Sequence, residues 1–180
     1  MRKLILKMSV SVDGFVADRD GDNRWIFPSM SEDGAAWTLD RIRAAGAHLM
    51  GRSTYLDMAA YWPNSTEVFA APMNEIPKVV FSRTLEKAEW PETRIASGDL
   101  AEEIARLKEE PGKDLVAHGG STFARALTAA RLVDEYQLLV HPVALGEGMP
   151  LFGGRVDLDL VGVQAFSGGA VAHAYRPKTG

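Results

Sequence analysis

Two stretches of the sequence share a design that suits anion binding: an apolar run, then glycine, then hydroxyl-bearing residues that begin a predicted helix. They are residues 49–54 (LMGRST) and residues 116–122 (VAHGGST). Glycine lets the backbone approach a ligand closely, and the free N–H groups of a helix N-terminus attract negative charge. Arg52 adds a cation whose fork geometry fits phosphate. Neither stretch matches G-x-G-x-x-G or a Walker loop, so ordinary tight strand-to-helix turns are the alternative at both places.

Further charged side chains are candidates for binding or for proton transfer. Arg83 follows Ser82 at the end of a third apolar run, where an arginine suits a ribose phosphate or is a solvated loop residue. Asp13 is a candidate acid, although Asp-Gly is also a common turn. Glu32 and Asp33 are candidate proton donors, although acidic residues also favour the first turn of a helix because of its dipole.

The four histidines, His48, His118, His141 and His173, fall in separate predicted strands. Their spacing matches neither H-x-E nor H-E-x-x-H, and a metal site needs ligands that converge. We therefore predict a structural role for each histidine and no metal site. The argument for a structural role is weakest for His118, because this residue adjoins the second glycine turn.

Composition excludes several classes of function. The chain has 180 residues, a net charge of −4 and no cysteine, which excludes disulfides, thiolate metal sites and a cysteine nucleophile. The absence of G-x-S-x-G argues against a hydrolase of the α/β type, and the acidic charge argues against a nucleic-acid partner. No apolar stretch approaches the ~18–20 residues of a membrane span. We therefore predict a cytoplasmic protein that binds a small molecule, without a nucleic-acid or membrane partner.

Predicted strands alternate with predicted helices along most of the chain. Period-two and continuous apolar patterns predict strands at residues 4–12, 47–50, 78–82, 115–117, 136–143, 158–166 and 171–175. Helical spacing and capping residues predict helices at residues 34–45 and 53–60, between Asp99 and Pro111, and from Ser121, as cap, to Ala130.

This alternation predicts an α/β fold with a mostly parallel sheet and right-handed crossovers. The last two strands are joined only by Ser167-Gly168-Gly169, and so short a link predicts an antiparallel hairpin. Because no linker or repeat interrupts the pattern, residues 1–180 are predicted to form a single domain. The hairpin leaves a sheet edge that needs covering, so a homodimer is expected.

Six short motifs occur in an order that resembles the dihydrofolate-reductase-like family, which includes the reductase domain of riboflavin biosynthesis. They are residues 11–17 (SVDGFVA), 50–55 (MGRSTY), 79–83 (VVFSR), 118–121 (HGGS), 132–136 (LVDEY) and 142–148 (PVALGEG). Each motif is weak alone, whereas six in the same order are specific. The similarity extends over residues 3–177, nearly the whole chain.

The resemblance implies a three-layer fold, with the sheet between helices, and NADPH as hydride donor. Paired glycines in this family often carry a non-proline cis bond, which at Gly119-Gly120 would mark a functional site. The candidate proton donors are Asp13, Glu32, Asp33 and a bound water. The implied cofactor-binding residues are Val10, Ser11, Gly14 and Ala17 beside the nicotinamide and substrate, Gly51, Arg52, Ser53 and Thr54 at the first turn, Ser82 and Arg83 near the 2′-phosphate, and His118, Gly119, Gly120, Ser121 and Thr122 at the pyrophosphate.

The chain departs from the family in two ways. The bifunctional riboflavin enzyme also has a zinc deaminase domain that needs P-C-x-x-C, which a chain without cysteine lacks. We therefore expect a stand-alone reductase-type domain. Folate reductases have one acidic residue on the first helix that pairs with the pterin ring, and no motif here decides which acid that would be.

The resemblance therefore implies an NADPH-dependent reductase of a small heterocyclic or imine substrate. The enzyme it resembles most is 5-amino-6-(5-phosphoribosylamino)uracil reductase. Two alternatives remain open from the sequence: a reductase of the pterin or dihydrofolate type, and a non-catalytic module that binds NADPH or another nucleotide.

Overall fold

Strands and helices alternate along the part of the chain that the computed structural model describes, residues 1–178. The strands are β1 (Leu4–Ser11), β2 (Phe15–Ala17), β3 (Ala47–Gly51), β4 (Lys78–Phe81), β5 (Thr93–Ala96), β6 (Leu115–Ala117), β7 (Glu135–His141), β8 (Met149–Pro150), β9 (Leu158–Ala165) and β10 (Val171–Pro177). The helices are α1 (Glu32–Arg43), α2 (Arg52–Tyr61), α3 (Ala70–Glu75), α4 (Leu100–Glu109) and α5 (Ser121–Ala129), with 3-10 turns at Arg24–Ser29 and Trp62–Asn64.

Eight of these strands form one sheet in the order β5-β4-β3-β6-β1-β7-β10-β9. The first six strands in this order are parallel to one another, and β10 is antiparallel to both β7 and β9. The predicted α/β class, the mostly parallel sheet and the C-terminal antiparallel hairpin are confirmed. The short strands β2 and β8 form a separate antiparallel pair.

The largest differences from the predicted elements concern short or half-buried segments. The pattern did not predict β2, β5, β8 or α3, which span only two to six residues each. Ser121 was predicted to cap α5, but the N-cap is Gly120 and Ser121 is already helical. The positive φ of Gly120, 77°, is the reason, because the helix starts only after this left-handed residue.

The two faces of the sheet differ in polarity near its centre. On one face, Leu4, Leu6 and Val10 of β1 belong to the largest buried apolar cluster, which also includes Ile104 of α4 and Leu127 of α5. Side chains of a strand alternate between faces, so residues 7, 9 and 11 of β1 lie on the opposite face.

That opposite face has two smaller apolar clusters with the central strands between them. One cluster includes Ile42 of α1 and Met50 of β3, and the other includes Leu139 of β7 and Phe166. Trp37 of α1 packs against the second cluster, so α1 contacts both. The side chains of β6 and β1 on this face therefore lie under α1, between two apolar walls.

The edge strand β9 exposes Leu160, Val161 and Val163. An apolar edge strand is a surface that chains usually cover. The homodimer stays a prediction. Among residues 1–178, no helix is long and apolar enough to cross a membrane.

Candidate active site

Four of the predicted site segments end at the same edge of the sheet. The strands β4, β3, β6 and β1 are consecutive neighbours and parallel, so their carboxyl ends share one edge. The predicted site segments follow or close these four strands: residues 82–83 at β4, residues 51–54 at β3, residues 118–122 at β6 and residues 10–14 at β1. In open α/β sheets, ligands bind at this edge.

The two glycine turns lie side by side and begin helices α2 and α5. The Thr54 hydroxyl donates to the carbonyl oxygen of Gly119 at 3.0 Å, which ties one turn to the other. No side chain caps either helix, so the first N–H groups of both remain available to a ligand. Two such N-termini in contact form a cradle for a pyrophosphate.

The peptide bond between Gly119 and Gly120 is trans, so the cis bond that is frequent in the family is absent at this pair. The turn is made by two consecutive residues with positive φ, 67° and 77°. An added Cβ at residue 120 would lie 2.8 Å from Thr54 Oγ1. Glycine is therefore required there by backbone conformation and by close contact.

Two arginines flank the cradle as free cations. Arg52 and Arg83 are exposed, and neither forms an ion pair with another of residues 1–178. Ser82 shapes its own turn, because its hydroxyl oxygen accepts the N–H groups of Thr84 and Leu85 at 3.2 and 3.0 Å. Both arginines can therefore reach a phosphate without breaking a native contact.

The hydroxyl-bearing residues of the two turns differ in availability. Ser53 and Thr122 are exposed. The hydroxyl of Ser121 donates to the carbonyl oxygen of Pro150 at 3.1 Å, so it ties α5 to β8. Ser53 and Thr122 are therefore the freer donors towards a ligand.

Asp13 holds two loops together at the end of β1. Its carboxylate accepts the N–H groups of Leu145 and Gly146 at 3.1 and 2.7 Å and the Ser11 hydroxyl at 2.5 Å. The Ser11 hydroxyl, followed by these backbone groups, lowers the pKa of Asp13. A carboxylate held in its charged form by such contacts is suited to positioning a loop rather than to donating a proton.

The other residues predicted beside the nicotinamide, at and after the end of β1, can reach a ligand only through their backbone groups. Val10 and Ala17 are buried, so only their main-chain groups can reach a ligand. Gly14 has a φ of 88° and its N–H donates to the Ser11 carbonyl at 3.0 Å, which closes a tight turn. No heavy atom lies within 4 Å of a Cβ built on Gly14, so this turn borders open space.

The two predicted acids of α1 have different environments. Asp33 accepts both the N–H and the hydroxyl of Ser167, at 2.9 and 2.8 Å, and so joins α1 to the β9–β10 turn. The nearby Ser31 hydroxyl, together with these Ser167 groups, holds the pKa of Asp33 well below its ordinary range. Glu32 is exposed in the first turn of α1. Asp33 is thus a structural link, and Glu32 is the freer of the two acids.

Two polar side chains of β1, Lys7 and Ser9, belong to none of the six motifs, although they precede Ser11 on the same face of the strand. Lys7, Ser9 and Ser11 share the face that α1 covers, and desolvation lowers the pKa of Lys7 to about 8. Within residues 1–178, Lys7 forms no salt bridge. A half-buried, unpaired lysine between two apolar clusters points to a binding site. Polar residues at every second position of an otherwise apolar strand were the sequence signal.

Two histidines predicted to be separate are in contact. His118 Nε2 lies 2.8 Å from His48 Nδ1, because the strands β3 and β6 are neighbours. His141 Nδ1 lies 2.7 Å from the Ser29 hydroxyl, and its buried Nε2 has no partner among residues 1–178. Nowhere in residues 1–178 do three His, Asp or Glu side chains converge as metal ligands would.

The chain is similar to proteins of one known family. The model of one protein family, described as the RibD C-terminal domain, matches residues 2–172. The uncharacterized protein YyaP of Bacillus subtilis is 31% identical over 185 residues, which cover 97% of this chain and 95% of that protein.

Two solved structures extend the comparison. One is a diaminohydroxyphosphoribosylaminopyrimidine deaminase/5-amino-6-(5-phosphoribosylamino)uracil reductase of Thermotoga maritima, with a TM-score of 0.71 and 20% identity over 98% of this chain and 57% of that one. The other is dihydrofolate reductase from Enterococcus faecalis complexed with NADP(H), with a TM-score of 0.65 and 12% identity over 98% and 97%. At these identities the two structures show the shared fold.

Proposed function

Because the chain belongs to the RibD C-terminal domain family, we propose that it is an NADPH-dependent reductase of a small heterocyclic or imine substrate. The family consists of NADPH-dependent reductases. The observation that carries the proposal is the juxtaposition of two uncapped helix N-termini with an unpaired lysine on the neighbouring strand. The first candidate substrate is 5-amino-6-(5-phosphoribosylamino)uracil, which the Thermotoga enzyme reduces according to its name.

The residues at the strand ends fit the phosphates of NADPH. The N-termini of α2 and α5 would hold the pyrophosphate through backbone N–H groups, with Ser53 and Thr122 as further donors. Arg83 would pair with the 2′-phosphate, and Arg52 would add a second cation. When bound, NADPH supplies the hydride, while the chain orients the substrate and excludes water.

Lys7 is the best-supported proton donor for the reduced nitrogen or oxygen. Its pKa of about 8 leaves the ammonium form dominant at neutral pH while keeping proton transfer accessible. The two aspartates, Asp13 and Asp33, already accept hydrogen bonds from Gly146 and Ser167, in loops distant along the chain. Lys7 is half-buried, and burial is the cause of its lowered pKa.

The two alternatives have less support. A pterin reductase needs a carboxylate on the first helix that faces the ring, whereas Asp33 is held by Ser167 and Glu32 is exposed. A module that only binds nucleotide has no use for an unpaired, desolvated lysine beside the cradle. Loss of NADPH absorbance in the presence of pyrimidine and pterin substrates tests the proposal, and no consumption with any of them would favour the binding module.

Replacing Arg83 with alanine is expected to weaken NADPH binding roughly ten- to a hundredfold, because a charge-assisted hydrogen bond is lost. NADH lacks the 2′-phosphate, so its affinity should stay unchanged and the preference for NADPH should disappear. Fluorescence titration of both nucleotides measures the effect. Arg43→Ala, an exposed arginine in the last turn of α1, is the matched control. Equal affinities of the wild type for NADPH and NADH would contradict the assignment.

A further inference from the structure

The contact between His48 and His118 fixes where each ring carries its proton. His48 Nε2 lies 3.3 Å from the Pro72 carbonyl oxygen, which can only accept, so this nitrogen carries the hydrogen. A neutral His48 then has a lone pair on Nδ1, which must accept the Nε2–H of His118 at 2.8 Å. A neutral His118 consequently has an unprotonated Nδ1.

Both rings are neutral near physiological pH. Desolvation lowers the pKa of His48 to about 4; the hydrogen bond to the Pro72 carbonyl opposes this shift, and the ammonium groups of Lys78 and Lys7 add to it. Desolvation also lowers the pKa of His118, followed by the effects of His48 and Lys7. The charged groups on the neighbouring strands β4 and β1 therefore act in the same direction as burial.

The Nδ1 atom of His118 has no hydrogen-bond partner in the part of the chain that the structure describes, yet it is not fully enclosed. His118 directly follows β6, whose neighbour on the sheet is β1. In the parallel pairing of these strands Leu6 lies opposite Ala117, so the next residues, Lys7 and His118, are neighbours on the face opposite Leu6. A hydrogen-bond acceptor and a hydrogen-bond donor thus lie next to each other on the face of β1 and β6 between the two apolar clusters, which we take as the substrate cleft.

We propose that His118 Nδ1 is a specificity-determining acceptor for an N–H group of the substrate, and that His48 is the positioning residue that fixes this tautomer. The inference rests on the proposed reductase function, because it takes this cleft as the substrate site. It assigns His118 to the substrate, whereas the family resemblance implies a place beside the cofactor. Substrates with a ring or exocyclic N–H satisfy Nδ1, and those without leave a desolvated acceptor unpaired.

Two replacements of His118 separate its two nitrogens. His118→Gln extends an amide to the Nε2 position, which keeps the contact with His48 and removes the acceptor. His118→Asn places its amide oxygen near Nδ1, which keeps the acceptor and removes the contact with His48. With 5-amino-6-(5-phosphoribosylamino)uracil, we expect His118→Gln to raise KM roughly tenfold with an unchanged Kd for NADPH. His118→Asn should have the smaller effect on KM.

A matched pair tests the positioning role of His48. His48→Asn keeps an acceptor for the His118 N–H near Nδ1, whereas His48→Leu removes it. We expect His48→Leu to change the tautomer of His118 and to raise KM, and His48→Asn to stay near the wild type in both. A role limited to core packing would instead give equal effects for the two variants, which would overturn the assignment.

Nitrogen-15 NMR of the histidine rings in the intact chain tests the tautomer without any turnover. The expected spectrum near neutral pH shows His118 with a protonated Nε2 and an unprotonated Nδ1. A doubly protonated or Nδ1–H form of His118, or a loss of NADPH affinity in His118→Gln, would overturn the inference. Failure of the wild type to oxidise NADPH with this substrate would instead contradict the proposed function, and the ring spectrum would still decide the tautomer.

Discussion

Lys7→Met is expected to lower kcat at least ~100-fold, the usual contribution of a general acid, while the Kd for NADPH stays unchanged. Methionine retains the length and the apolar stem of lysine but cannot donate a proton. Because burial penalises the ammonium, the variant should be as thermally stable as the wild type or more so. NADPH absorbance, fluorescence titration and thermal unfolding measure the three effects.

The ionisation of Lys7 determines in which direction kcat/KM should change with pH. The pKa of Lys7 is lowered from 10.5 to about 8, so the donating form is present below that pH and lost above it. kcat/KM should therefore fall as the pH rises through about 8, and this limb should vanish in Lys7→Met. The pKa values of His48, His118 and His141 are also lowered, so these rings stay neutral throughout this range.

Stability should respond to pH in the opposite direction. Between about 8 and 10.5 the unfolded chain keeps a proton on Lys7 that the folded chain has lost. The contribution of this group to the free energy of unfolding therefore rises with pH in that window. A Lys7→Met variant with wild-type turnover, or one that keeps the alkaline limb, would contradict the assignment of Lys7 as proton donor.

The elements that carry strong local patterns were predictable from the sequence. Asp99 caps α4, its carboxylate accepting the N–H groups of Ala101 and Glu102 as the capping pattern predicts. The apolar runs of β3, β6 and β7 were recognised because buried parallel strands are continuously apolar. The Gly119-Gly120 turn was predictable because a backbone with positive φ before a helix favours glycine, so the residue type itself carries the signal.

The parts of the site that sequence reasoning missed depend on contacts between distant residues. Asp13 accepts hydrogen bonds from residues 145 and 146, and Asp33 accepts them from Ser167. These partners are more than 130 positions away in the chain, so no local pattern indicates what the two aspartates do. His48 and His118 meet because β6 lies beside β3, although two strands and three helices lie between β3 and β6 in the chain. Strand order of this kind is not encoded in any local pattern, and only the alternation of Lys7, Ser9 and Ser11 hinted at the cleft.

Gly120→Ala is expected to weaken NADPH binding by roughly one to two orders of magnitude, since a residue forced into such a backbone conformation costs about 1–3 kcal/mol. Gly120 has φ 77° and ψ 135°, a region that residues with a Cβ avoid. The new methyl group would also lie 2.8 Å from Thr54 Oγ1, whose hydroxyl holds the neighbouring turn. A shift that relieves the backbone strain or the close contact moves the N-terminus of α5 away from the position of the pyrophosphate.

Three further variants identify why Gly120→Ala loses affinity for NADPH. Gly154→Ala is the control, because no heavy atom lies within 4 Å of its Cβ and its φ is not positive. The double variant Gly120→Ala/Thr54→Ala removes the close contact but keeps the backbone strain. Its loss of NADPH affinity should therefore be smaller than the sum of the losses in the two single variants. Titration of NADPH and thermal unfolding of the wild type, Gly120→Ala, Thr54→Ala, the double variant and Gly154→Ala measure this coupling. A Gly120→Ala protein that binds NADPH like the wild type would show that the N-terminus of α5 does not hold the cofactor.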